Sequence, residues 1–115
     1  IMTYGLFIDP PLGRVGMTEK AAKKAGHNVK TVTKCMDSIS RANHKGETNG
    51  VMKIVADADN DQILGAAFLG IGGDELIYSI TDLMYTGQPY TKLTHAVHIH
   101  PTVGEYLPSL FNDLK

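Results

Sequence analysis

The residue types that can move protons or hold ions are concentrated in one run, His98, Ile99, His100, Pro101, Thr102, Val103, Gly104, Glu105. Pro101 biases His100 toward an extended backbone and permits a cis peptide, so an imidazole can be held in a fixed direction ahead of a helix. If Thr102 caps that helix, Glu105 lies on its first turn and folds back toward the residues before the cap. A carboxylate beside an imidazole raises its basicity and selects its tautomer, as a general acid or base working near neutral pH requires. On spacing alone, Thr102 to Glu105 is also a plain capping box, and a His before a helix is often only a packed polar residue. A third reading takes His95, His98, His100 and Glu105 as an iron or zinc ligand set. Pro101 ends the extended run at once, and no second strand offers a clear further ligand. His27 and His44 read as ordinary surface residues.

Two glycine patterns suggest phosphate or RNA binding and fail on context. Gly70, Gly72 and Gly73 follow a strand and open a helix, but Glu75 stands where a third glycine belongs and puts negative charge where a pyrophosphate would sit. Close backbone packing explains them better. Gly13, Arg14, Val15, Gly16 matches an RNA-clamping loop only as a string, with neither the flanking helices nor a basic surface.

The elements that must position the run can be read from periodicity. Tyr4 to Ile8 is a short strand stopped by Pro10 and Pro11 and followed by a loop. Thr18 caps a surface helix from Glu19 to Ala25 that ends at Gly26. Val29 to Met36 alternates as a half-buried strand. After a turn at Gly46 to Gly50, Val51 to Ala56 and Ile63 to Leu69 form an antiparallel hairpin. Met52, Ile54 and Ala56 make one apolar face, while the second strand is apolar on both sides, Ile63, Ala67 and Leu69 opposing Leu64, Ala66 and Phe68. Part of the sheet is therefore covered twice, once by the domain's own helices and once by another domain or subunit. Leu76, Ile77, Ile80, Leu83 and Met84 define a helical stripe that stops before Gly87, and Val103 to Leu114 define another. Pro108 inside the second stripe implies a kink, or a short first turn followed by a restart.

At 115 residues and 43% hydrophobic content the chain suits one domain. Eleven Lys and Arg against twelve Asp and Glu give a formal net charge of −1, with no basic, aromatic-rich surface for nucleic acid. Cys35 is the single cysteine, so neither a CxxC redox pair nor an internal disulfide can form. The Ile63 to Gly73 stretch is too short to cross a bilayer, so no membrane partner and a cytoplasmic location are expected. Opening on Ile1 is read as a piece cut from a longer chain.

In order and spacing, Phe7 to Glu19 (FIDPPLGRVGMTE), Gly46 to Ile77 and Ala96 to Leu110 (AVHIHPTVGEYLPSL) resemble the C-terminal dimerisation domain of pyridine nucleotide disulfide oxidoreductases, whose members include glutathione reductase, dihydrolipoamide dehydrogenase and mercuric reductase. The resemblance implies an α+β fold with an antiparallel sheet, helices on one face, and a homodimer interface on the other. It implies a domain spanning 1–115 of a larger flavoenzyme that uses FAD and NAD(P)H, with N-terminal FAD and NAD(P) domains elsewhere. It further implies that His100 is the acid-base catalyst of thiol-disulfide exchange at the partner subunit's flavin and dithiol, that Glu105 orients it, and that His100 and Pro101 contact the flavin, mainly through backbone. The acceptor is then a disulfide or another small molecule, and the function belongs to redox homeostasis. His98 is outside the shared pair and is structural or supporting. Neither the paired cysteines nor the dinucleotide fingerprints of the family occur here, so the fragment alone should neither hold flavin tightly nor catalyse. Mercuric reductases typically carry a C-terminal cysteine pair, whereas this chain ends Leu110, Phe111, Asn112, Asp113, Leu114, Lys115, which puts a mercuric substrate in doubt. A purely structural dimerisation module and a His-rich metal-binding domain are the alternatives.

Overall fold

Five strands, β1 (Thr3–Leu6), β2 (Leu12–Gly16), β3 (Val29–Cys35), β4 (Val51–Asp57) and β5 (Ile63–Leu69), form one sheet in the order β1-β2-β5-β4-β3. Every neighbouring pair is antiparallel. The computed structural model describes all 115 residues. Four helices complete it: α1 (Glu19–Lys24), α2 (Ser40–His44), α3 (Gly73–Thr86) and α4 (Leu107–Asn112), with 3-10 turns at Met36–Ser38, Tyr90–Leu93 and Gly104–Tyr106. This is the expected α+β class.

The core lies between one sheet face and α2, α3 and α4. Met52, Ile54, Ala56, Ala66 and Phe68 from β4 and β5 meet Ile77, Ile80 and Leu83 of α3 and Leu110 and Phe111 of α4. Burial of each large side chain contributes about 1.5–3 kcal/mol before ordering costs, so the helical layer is firmly docked. The α3 stripe ends where expected, at Gly87, whose φ of 67° is the left-handed cap that favours glycine. Pro108 falls within the first two residues of α4, where its missing N–H costs no helical bond. The second stripe is thus a 3-10 turn followed by a restart.

A bulge corrects the expected facing of β5. Val55 pairs with Gly65 but Ala56 pairs with Ile63, so Leu64 is the extra residue. Ile63 therefore turns into the core beside Ala66 and Phe68, and does not share the opposite face with Ala67 and Leu69.

The segment after Pro11 is likewise not a loop. Leu12–Gly16 is β2, paired on both sides. A Cβ at Gly13 would meet the carbonyl of Gly73 and the Ile77 side chain, so the glycine lets the start of α3 settle onto the sheet. This is the close packing anticipated for Gly73.

Thr18 caps α1 by accepting the Ala21 N–H at 3.0 Å. Glu19 of this helix reaches Lys53, which is on the sheet face opposite Ile54. α1 thus covers part of the second face, near the buried Val55.

The two sheet edges differ. Thr31 on β3 exchanges backbone hydrogen bonds with the terminal Lys115, which blunts that edge. All four residues of β1 are exposed.

Candidate active site

The turn that opens the α4 region builds the site from its own backbone needs. Glu105 N–H donates to Thr102 Oγ1 at 3.2 Å, and Glu105 Oε2 accepts the Thr102 N–H at 2.9 Å, so the reciprocal box is closed. The Thr102 hydroxyl donates to the Ile99 carbonyl at 2.6 Å, fastening the incoming segment to the turn. The turn it caps is 3-10, not the first turn of an α-helix.

The same carboxylate holds the imidazole. His100 Nδ1 lies 2.8 Å from Oε1 and 2.9 Å from Oε2 of Glu105. An ionised carboxylate can only accept, so Nδ1 carries the proton and Nε2 is the nitrogen with a free lone pair. Nε2 forms no hydrogen bond within the chain. The His100 side chain is 73% exposed, against 31% for Glu105, so the acid is the anchored member and the ring the projecting one. The hydrogen bond from His100 holds the Glu105 carboxyl below the usual carboxylate range, and the Thr102 N–H adds to this, against a smaller opposing effect of burial. Closing the turn and holding the ring therefore do not compete: one carboxylate does both.

The His100–Pro101 peptide is cis. The His100 carbonyl accepts no backbone hydrogen bond from the chain. Val97 and Ile99, 96% and 79% exposed, flank His98 on an uncovered extended segment.

His95, His98, His100 and Glu105 do not assemble into a ligand set, and no group of three His, Cys, Asp or Glu side chains in the chain is placed to hold a metal ion. The metal reading of that cluster has no geometric basis.

A second imidazole-carboxylate pair escaped the sequence reading. His27 Nδ1 lies 2.8 Å from Asp57 Oδ2, so His27 is no ordinary surface residue. The Asp59 N–H on Oδ1 is the larger cause of the lowered Asp57 pKa, and His27 the next. The residues are thirty positions apart and meet only because β3 pairs with β4, so no local signal could reveal them. Arg41 was also passed over. It lines, with Ile39 and Ser40, a hollow of about 210 Å³ that also borders His100 and Glu105.

A family model described as pyridine nucleotide-disulphide oxidoreductase, dimerisation domain, matches residues 2–110. Among curated proteins, a probable pyridine nucleotide-disulfide oxidoreductase, RclA of Escherichia coli K12, is 37% identical over 97% of this chain and 25% of its own length. A dihydrolipoyl dehydrogenase of Thermus scotoductus is 35% identical over 89% of this chain and 22% of its own. The solved structure of the HOCl-induced flavoprotein disulfide reductase RclA from Escherichia coli superposes with a TM-score of 0.95 at 36% identity, over 99% of this chain and 26% of that one. The chain thus spans about a quarter of the length of these relatives.

Proposed function

Since the chain belongs to the pyridine nucleotide-disulphide oxidoreductase family, as its dimerisation domain, we propose that it completes the active site of a longer FAD- and NAD(P)H-dependent disulfide oxidoreductase. In this reading His100 is the acid-base catalyst of thiol-disulfide exchange and Glu105 its positioning partner. The observation that carries it is the grip of both Glu105 oxygens on Nδ1, which leaves Nε2 without a partner in the chain on a ring that is 73% exposed.

Exchange needs a thiolate to attack and a protonated sulfur to leave, so one group that takes a proton and returns it serves both directions. Nε2 of His100 takes the proton of the attacking thiol, while Glu105 holds the ring as an imidazolium. Nε2 then returns the proton to the departing sulfur. Cys35 is the sole cysteine, so the dithiol must come from outside this domain. The flavin, when bound, would pass electrons drawn from NAD(P)H to the disulfide form of that pair, regenerating the dithiol. This chain's contribution there is the free His100 carbonyl, with Pro101 beside it.

Exposed Val97 and Ile99 support a homodimer in which a second chain covers the segment leading to His100, and the ring then serves that chain's dithiol. A cytoplasmic setting suits the reading, because reduced thiols persist there.

The test is His100→Ala in the full-length enzyme with lipoamide as acceptor. Flavin reduction by the nicotinamide should persist while disulfide turnover falls by about 10² or more. Unimpaired turnover together with a lower melting temperature would instead favour a purely structural module.

A further inference from the structure

The hollow beside His100 holds more polar groups than the acid-base pair uses. Ser40 and Arg41 come from α2, and Tyr106 and Ser109 flank the start of α4. Arg41 is half-buried yet enters no ion pair of the chain. Its guanidinium and the hydroxyls of Ser40, Tyr106 and Ser109 make no hydrogen bond within the chain. The only carboxylate lining the hollow is Glu105, and its oxygens are already engaged by His100 and the Thr102 N–H. An arginine fork left without an acid, next to three unoccupied hydroxyls, matches the planar, bidentate geometry of a carboxylate. A volume of about 210 Å³ takes a carboxylate and a few methylenes, and is too small for a whole disulfide substrate.

We propose that this hollow is a carboxylate subsite, in which Arg41, assisted by Ser40, Tyr106 and Ser109, holds an anionic arm of the acceptor while His100 serves its sulfur. It rests on the acid-base role assigned to His100 above. It makes Arg41 a specificity-determining residue and an acid-bearing disulfide the preferred acceptor class.

Lipoate and lipoamide test it, being matched disulfides that differ in a carboxylate against a neutral amide. The readout is the ratio of their kcat/KM values in the full-length enzyme. The ratio should favour lipoate in the wild type, fall about tenfold in Arg41→Gln, and fall less in Arg41→Lys, which keeps the charge and loses the fork. A wild-type ratio near unity, or one that Arg41→Gln leaves in place, overturns the subsite. Should Arg41→Gln fail to assemble with flavin, Arg41→Lys decides: a ratio equal to the wild type overturns it. His100→Ala that turns over both disulfides as the wild type does overturns the reading beneath it, whatever Arg41→Gln does to the ratio, so the two failures are told apart.

Discussion

Glu105 receives the Nδ1–H of His100 on both carboxylate oxygens, at 2.8 and 2.9 Å, while one of those oxygens also takes the Thr102 N–H at 2.9 Å. Ring orientation and turn closure are therefore coupled through one side chain. Glu105→Gln separates them. The glutamine carbonyl can still accept from Thr102, so the turn and the melting temperature should change little. The amide cannot stabilise a protonated ring as a carboxylate does, so disulfide turnover should fall about ten- to a hundred-fold. Kinetics and thermal melting of the same preparation check both halves, and parallel losses in the two would count against a positioning role.

The legible parts of the fold are those written locally. The stripe Leu76, Ile77, Ile80, Leu83 places α3, and the Thr18 cap with the stop at Gly26 places α1. The His-Pro-Thr-x-x-Glu run places the candidate pair because its members are at most five residues apart. What was not legible depends on distant partners. β2 is poor in side chains, with Gly13 and Gly16 in five residues, and becomes a strand because β1 and β5 hold both its edges. α2 has five residues, too few for a periodic stripe, and its Arg41 gains meaning only from the α4 turn beside it. The turn of Ile63 into the core needs the bulge, which alternation alone cannot announce.

The acid side of the stability profile should carry the mark of Glu19. Hydrogen bonds from Lys53, then Lys23, hold its carboxyl at about 2, below its ordinary 4.5. A depressed folded value means the stabilisation is present above the unfolded value and lost as pH falls from about 4.5 toward 2. Lys53→Met removes the larger cause, so Glu19 should titrate closer to its ordinary value and the acid loss in that window should shrink. Urea midpoints at about pH 6 and about pH 3 measure the difference. An equal drop in wild type and variant would show that the Lys53–Glu19 contact contributes nothing in solution.

Ile99 is 79% exposed immediately before the pair, and Val97 is 96% exposed before it. If a second chain covers this segment, Ile99→Asp leaves an unpaired charge in a dry contact and should weaken the full-length dimer without lowering the melting temperature of the domain's core. Sedimentation across a concentration series reads the shift toward monomer. Turnover should fall in step with dimer loss, since the ring is then presented to no partner. A variant that dimerises as the wild type does would place the interface elsewhere.

Gly13 tests how β2 and α3 are joined. A Cβ there would lie 2.9 Å from two side-chain carbons of Ile77 and still closer to the Gly73 carbonyl, and neither neighbour is a flexible tip that could swing away. Gly13→Ala must therefore push the N-terminal turn of α3 off the sheet, an overpacking cost of about 1–3 kcal/mol. Because α3 also carries Leu76, whose side chain would lie only 3.3 Å from a Cβ at Gly104 in the His100–Glu105 turn, the displacement should reach that pair as well. Urea unfolding should show the lost stability, and turnover by the full-length enzyme should fall although residue 13 lines no part of the proposed site. Lost stability with intact turnover would mean that α3 shifts without moving the turn, and that the pair is held by Thr102 and Glu105 alone.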